Sequence, residues 1–600
     1  MKRTARLFSA FLLAQMLVLA ACGGTSTTAP ATSTATSTAP LANTTPAPTP
    51  LSHKPQYGDI ITRMLASDSG IFDPVTQGQL IGPACAAFVN EKWISVDWSK
   101  GLFGTGQTDW MNSGQTIDDF GPYLAESFAM PEPGVIVLKV RQGVHYGLNT
   151  KSEASRLVGG REMTADDWVR NMNMFINHPR AWLKTMQPVV AASAKVEKTG
   201  PWEVTLTCKQ DPLQAWLWLA YGGGYFYQFP PELWDKYSNL QDWRNSVGTG
   251  PFMLTDYVAN SSITLVKNPN FWGGNPLGPG KGDRLPYVDG IKTLILPDAS
   301  TRLAALRTGK LDVLDQIYVD DAVSLNKTTP ALKSAKFLSG QSWVIAMRTD
   351  LQDLPFKDQR VRQALMLATD FPGMLQSAGG DGEMLVYPVN KSFKRAYVPL
   401  DQLPANVQEL FSYSPDKAKA LLKEAGYPNG FKTSVICANE PNSLDVVSMC
   451  KAMWAKVNVD LTIDARESAV YTRIAWASTA SEMIFTLHWG VFPLYLSLVG
   501  TSGANSSHIN DGPAGVEPVI QSIKDRVQAV VLRDPAAADK IIHDEYIPYA
   551  LEKSWYIPGI QPYQYVFWWP WLKNFYGTTN NQFFQYFWVD QTMKRSLGGG

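Results

Sequence analysis

Cysteine is scarce in this chain: five in 600 residues, too few for a disulfide scaffold. Charge is thin as well. Charged residues make up 18% of the sequence, and 53 Lys+Arg balance 53 Asp+Glu. A balanced chain has neither the basic footprint of a nucleic-acid binder nor the acidic excess of a solvating tail. Beyond the N-terminus no stretch offers about 18 uninterrupted apolar residues, so nothing later reads as a membrane span. The six histidines, His53, His145, His178, His488, His508 and His543, fall in no HxH or HExxH spacing, and no zinc-hydrolase site is legible. There is no GxxxxGK[ST] loop to cradle nucleotide phosphates and no GxSxG elbow for a nucleophilic serine. Acidic pairs such as Asp166-Asp167 and Asp320-Asp321 exist, but adjacency in sequence does not establish a catalytic separation. Neither a cofactor nor a metal site is expected, and no internal repeat is visible.

What is abundant is apolar and aromatic. Hydrophobic residues reach 45%, which supports large cores and excludes wholesale disorder. The chain carries 20 Trp, 23 Tyr and 25 Phe. Tryptophan is over-used where ligands or partners are gripped. The length allows about four domain-sized units.

The first residues read as an address. Lys2, Arg3 and Arg6 precede the apolar run from Leu7 to Leu19, the length of a signal-peptide core. Leu19-Ala20-Ala21-Cys22-Gly23 follows and resembles a bacterial lipobox. Residues 1–21 are therefore expected to be a signal peptide and Cys22 the lipidated N-terminus. Residues 22–56 form a lipidated Cys and a linker of mostly Thr, Ser, Ala and Pro, which has no side chains for a core.

From Tyr57 onward, short β-rich runs alternate with amphipathic helices, the pattern of α/β domains. Val135 to Val140 reads as a strand. Thr164 followed by Asp167 resembles a capping box ahead of Trp168, Met172, Phe175 and Ile176 at helical spacing. Ser414-Pro415-Asp416 starts another helix, with Ser as N-cap and Gly426 as its stop. Val361, Ala364, Leu365 and Ala368 mark a third. Gly248-Thr249-Gly250-Pro251 reads as a tight turn, chiefly structural. Asp73 ahead of Pro74 reads as a helix cap, the alternative being a carboxylate pointed at a ligand. The lone thiols Cys85 and Cys208 read as buried. Cys437 and Cys450 lie at the end of a strand-like run and in the next helix, where a disulfide is one alternative and two thiols the other.

Eight blocks, in order, resemble the bacterial extracellular solute-binding proteins of family 5, which serve peptide, nickel and oligosaccharide ABC importers. They are Phe72-Asp73-Pro74; Leu124-Ala125-Glu126-Ser127 with Val140-Arg141-Gln142-Gly143-Val144; Gly160 to Asp166; Val247-Gly248-Thr249-Gly250-Pro251-Phe252; Asn268-Pro269-Asn270-Phe271-Trp272; Leu303-Ala304-Ala305-Leu306 to Asp312; Pro355-Phe356-Lys357-Asp358 with Val361-Arg362-Gln363-Ala364; and Lys417 to Leu422 with Tyr427-Pro428. The resemblance implies an α/β, two-lobed periplasmic-binding-protein-like clamshell, a Venus flytrap, with an extra subdomain inserted in the first lobe. Lobe I would combine 57–75, 246–342 and 556–600, the insertion would span 76–245, and lobe II 343–555. Crossovers near Trp343 and Trp555 would form the hinge.

The same resemblance implies a non-catalytic function: capture of a peptide-class or oligosaccharide-class solute and its delivery to an ABC permease and its ATPase. The protein would act as a monomer, exported and lipid-anchored to the outer face of the cytoplasmic membrane or in the periplasm, with no nucleic-acid partner. The competing reading is an exported carbohydrate-active enzyme with an aromatic-lined cleft. Expected ligand-binding residues are Trp489, His488 and Phe492, from the segment resembling the family's cleft word, then Trp343, Trp555 and Tyr556. The run Phe567 to Trp571 is expected in the core. Peptide-binding members resemble one another in an Asp three residues after the cleft Trp, which pairs with the ligand's α-amino group. Phe492 holds that position here. Free-amine peptides are therefore not expected to be gripped in the usual way, and a neutral ligand such as an oligosaccharide is an equal expectation. Glu482 and Asp511 are the nearby acids that would substitute.

Overall fold

The computed structural model describes residues 53–599 apart from 69, 77–86, 102–119, 187, 209–214, 216–217, 220–225, 339–340, 352, 392, 394, 478, 490–510, 513–514, 532 and 579–580. All of these belong to the unit formed by residues 42–600. Cys22, Cys85 and Phe492 lie outside the described residues.

The strands that build the sheets are β1 (Ile60–Leu65), β2 (Ala125–Glu132), β3 (Val135–Val140), β4 (Lys195–Gly200), β5 (Glu203–Thr207), β6 (Phe252–Val258), β7 (Ser262–Lys267), β8 (Gly290–Ile295), β9 (Val313–Ile317), β10 (Lys333–Phe337), β11 (Gln341–Met347), β12 (Gly382–Glu383), β13 (Phe431–Ala438), β14 (Val459–Arg466), β15 (Met483–Trp489), β16 (Tyr556–Pro558), β17 (Gln561–Pro562) and β18 (Gln564–Trp568). The helices used below are α1 (Ala165–Asn177), α2 (Gln359–Leu367), α3 (Pro415–Glu424), α4 (Pro441–Ala455) and α5 (Ser468–Ala477).

One four-stranded sheet has the order β1-β8-β7-β6, and beside it lies a three-stranded sheet β9-β18-β10. A second four-stranded sheet, β2-β3-β5-β4, is antiparallel throughout and is nested in the chain between β1 and β6. Thr164 N–H donates to Asp167 Oδ2 at 2.9 Å, the capping box that opens α1. Arg161 clamps Asp167 through two bonds of 2.8 Å and reaches Glu232 as well. Trp168 of α1 stacks on Trp93 (5.9 Å between rings), which stacks in turn on Trp218 (6.5 Å). Much of the tryptophan excess is consumed in such cores. Phe567, Trp568, Trp569 and Trp571 are all buried, and Trp569 stacks on Trp571 at 4.5 Å while the Trp571 indole donates to Asp312 Oδ1 at 2.7 Å.

A five-stranded sheet, β14-β13-β15-β11-β16, forms the other large body. Crossovers through α4 and α5 make β13, β14 and β15 parallel, as crossover helices require. β11 runs antiparallel to β15 and β16. The carboxyl ends of β13, β14, β15 and β16 therefore share one sheet edge with the amino end of β11. On the flanks, α2 packs against α3. Pro415 fills the first turn of α3 as read, but Ser414 makes no side-chain capping bond, and the missing N–H of Pro415 lightens that end's need for one.

The turn at 248–251 is a structural clasp. A Cβ on Gly248 would stand 2.0 Å from the Val89 carbonyl oxygen, and one on Gly250 would stand 2.5 Å from that of Phe88. Gly250 N–H donates to Val89 O at 2.8 Å, and Asn268 Nδ2 closes the turn onto Gly250 O. Asp73 caps the short turn after it, accepting from Val75 N–H at 2.9 Å. Cys208, Cys437 and Cys450 are buried free thiols, so the disulfide alternative is not formed.

Candidate functional site

The chain passes between the three-stranded and five-stranded sheets twice. The first passage, 338–340, joins β10 to β11. The second, 559–563, joins β16 to β18 and carries β17, which pairs with β12. Both passages leave from the carboxyl edge of the five-stranded sheet.

Charged and phenolic side chains gather around the passages. Lys336 of β10 pairs with Asp381 at 2.9 Å, and the Tyr565 hydroxyl donates to the same carboxylate. Glu383 accepts from Lys391 at 2.8 Å and from the Tyr563 hydroxyl at 3.0 Å. The Lys336 ammonium lies 4.4 Å from the centre of the Tyr563 ring, a cation–π distance. Burial, then the nearby Glu383 charge, pushes the Tyr397 phenol up to about 12. Further along, Asn442 Nδ2 of α4 donates to the Tyr318 hydroxyl at 3.0 Å, and Gly379 packs on Val319, whose Cγ1 would be 2.1 Å from a Cβ there. These contacts tie residues of β10, of the second passage and of β18, and residues that follow β9, to residues of the segment that holds the five-stranded sheet. The sequence reading missed this cluster, because no motif links Lys336 to Asp381 across 45 residues and only the fold brings them together.

Of the expected ligand residues, the structure places Trp343 on β11, half-buried and stacked on Phe485 at 5.0 Å. Its carbonyl accepts from Gly559 N–H at the start of the second passage. His488 and Trp489 end β15, in register with Ser342 and Gln341; their side chains, like all of Phe492, lie outside the described residues. Trp555 and Tyr556 are 5% and 8% exposed. Trp555 packs edge-on against Tyr549 and Tyr556 lies 4.5 Å from Tyr387, so both rings are largely taken up by packing. Backbone register thus brings Trp343, His488 and Trp489 to one sheet edge, with Tyr556 two strands along from β15.

Of the two acids considered as stand-ins, Glu482 is otherwise engaged. It accepts from Thr433 Oγ1 at 2.6 Å and Ser434 N–H at 2.9 Å, just before β15. Seven residue steps along the strand, about 23 Å, separate it from Trp489. The backbone of Asp511 pairs with Val516, and its side chain is not described. Among the described residues no group of three or more His, Cys, Asp or Glu could hold a metal, and no helix is long and apolar enough to cross a membrane.

The family model described as bacterial extracellular solute-binding proteins, family 5 Middle, matches residues 120–507. Heme-binding protein A of Haemophilus influenzae is 28% identical over 388 residues, covering 61% of this chain and 66% of that protein. The match therefore spans slightly less than two thirds of that relative's own length. Glutathione-binding protein GsiB of Shigella boydii is 26% identical over 466 residues, covering 72% of this chain and 80% of the relative. Among solved structures, the ABC transporter-associated periplasmic binding protein DppA from Helicobacter pylori, in complex with peptide STSA, superposes with a TM-score of 0.66 at 19% identity, covering 89% of this chain and 99% of that one. The shared architecture is two-lobed and α/β.

Proposed function

Because the chain belongs to the bacterial extracellular solute-binding proteins of family 5, we propose that it is the substrate-capturing component of an ABC importer, holding a peptide-class solute between two lobes and delivering it to a membrane permease driven by a separate ATPase. The observation that carries this reading is the double passage at 338–340 and 559–563 between two sheets. Two connections at one sheet edge give a hinge about which the bodies close. A ligand favours the closed form only through contacts it makes with both bodies, and the Trp343–Phe485 stack stands at the edge where such contacts form. Lobe II runs from β11 to β16. Lobe I comprises the sheets built on β1 and β9, with the β2-β3-β5-β4 sheet as its insertion. A peptide-class solute is preferred to an oligosaccharide because one relative is named for glutathione and a structural neighbour holds a peptide.

On this reading the protein acts as an exported monomer, tethered through a lipid on Cys22 to the outer face of the cytoplasmic membrane or in the periplasm, and binding leaves the ligand chemically unchanged. The test is to equilibrate the purified protein with a peptide mixture, remove unbound material and identify what is retained by mass spectrometry. The expected outcome is intact peptide at near one per protein with a change in tryptophan fluorescence. Turnover of the retained compound would favour the carbohydrate-active or another enzymatic reading.

A further inference from the structure

The two passages are not the only ties between the sheets they join. The helix Phe371–Ser377 belongs with the five-stranded sheet. Just ahead of it, Thr369 Oγ1 accepts from the Trp454 indole of α4 at 2.9 Å, and Phe371 packs on Phe411 with ring centres 5.1 Å apart. Four residues after that helix ends, the chain is bonded to the other body through Asp381. Lys336 and Tyr565 are paired in register between β10 and β18, so their side chains leave one face of the three-stranded sheet side by side. Both converge on the Asp381 carboxylate. The ammonium lies 2.9 Å from one oxygen and 3.2 Å from the other, and the phenol donates to Oδ2. The Asp381 carbonyl accepts from Tyr563 N–H at 3.0 Å, and the next two residues continue the attachment as β12 against β17.

Between the helix and this anchor stand Gly379 and Gly380, at φ +96° and +75°. Glycine enters that region without the penalty a Cβ brings, and a pair of glycines is free to change φ and ψ as a hinge requires. The segment thus has a joint on the side of the five-stranded sheet and a charged anchor on the side of the three-stranded one. Charge-assisted bonds such as those on Asp381 are roughly twice as strong as neutral ones, so the joint yields before the anchor does.

We propose that residues 379–383 form a third, non-covalent strap across the hinge, anchored on the first lobe by Asp381 and jointed to the second by Gly379-Gly380, and that this strap limits how far the lobes open. The inference rests on the two-lobe closure proposed above. A rotation that bends the passages turns the helix Phe371–Ser377 relative to Asp381. The two glycines absorb that turn until the four-residue connection is taut, and further opening requires Lys336 and Tyr565 to release the carboxylate.

The test uses ligand-free protein, with hydrogen–deuterium exchange at the Tyr563 amide and small-angle X-ray scattering as readouts. Asp381→Ala removes both side-chain bonds. Tyr565→Phe removes one and keeps the ring that fills its buried site. In Asp381→Ala the Tyr563 amide should exchange roughly tenfold or more faster, the scale of a lost charged hydrogen bond. The amides of β13 and β14 should exchange as in wild type, and the radius of gyration should rise. Tyr565→Phe should move both readouts in the same direction by less. An unchanged or smaller radius in Asp381→Ala would overturn the strap as a limit on opening. Exchange that quickens equally in β13 and β14 would show that Asp381 only stabilises the fold, and would overturn it too. If Asp381→Ala does not fold, Tyr565→Phe decides on the same two readouts. Retention of peptide by the wild type is measured separately, so failure of the peptide-class reading is distinct from failure of the strap.

Discussion

Glu91 and Lys92 are adjacent, buried and titratable, and their environments pull in opposite directions. Burial pushes the Glu91 carboxyl up to about 7, although the Trp272 indole N–H, 2.9 Å from Oε2, holds it back. Burial brings the Lys92 ammonium down to about 7. Between the ordinary carboxyl value of 4.5 and about 7, the folded chain keeps a proton on Glu91 that the unfolded chain has lost, so stability falls as pH rises through that window. Between about 7 and the ordinary lysine value of 10.5, the unfolded chain holds a proton on Lys92 that the folded chain lacks, so stability rises with pH. Glu91→Gln keeps an acceptor for Trp272 and removes the first effect. It should leave stability near pH 5 unchanged and raise it near pH 8 by up to about 3 kcal/mol, read from denaturant midpoints across pH. A variant with the wild-type slope between pH 5 and 7 would show that Glu91 does not titrate there. Cys22 yields a second residue-scale prediction. If Cys22 carries the proposed lipid, Cys22→Ser should move the protein from the membrane fraction to the soluble one, because acyl chains on that residue would supply the anchoring. If the processed variant stays membrane-bound, another segment is the anchor.

At the scale of elements, the turn at 248–251 is the most sharply constrained piece of backbone. The obstacles to a side chain at Gly248 are the carbonyl carbon and oxygen of Val89, which cannot rotate away as a side chain does. Gly248→Ala should destabilise the protein by about 3 kcal/mol or more. Gly426→Ala meets nothing within 4 Å and should cost only the strain of its positive φ, about 1–2 kcal/mol. Equal melting temperatures for the two variants would contradict the clasp. This turn, the capping box of α1 and strand β3 were legible in the sequence because each is fixed by near neighbours along the chain or by a word of conformationally special residues. The aromatic candidates were less so. Composition singles out Trp343, Trp489, Trp555 and Tyr556 alike, yet Trp555 and Tyr556 are packed against Tyr549 and Tyr387, whose proximity depends on the fold.

For the whole molecule, the two sheets meet through connections that also carry ionic and phenolic contacts. Lys336–Asp381 and Tyr565–Asp381 straddle the passages, and Tyr318–Asn442 lies further out. The Lys336 and Asp381 side chains are half-buried, 21% and 28% exposed, so this pair is less screened by water than a surface pair. The two-lobed α/β class was legible as a resemblance spread over eight short blocks, whereas the pairing of β18 with β9 and β10 joins residues about 230 to 250 positions apart and no periodicity announces it. On the proposed function the lobes close on a retained solute. Small-angle X-ray scattering of the purified protein, alone and saturated with the peptides it retains, tests this directly. The saturated sample should have the smaller radius of gyration; an unchanged radius with the peptide demonstrably bound would rule lobe closure out.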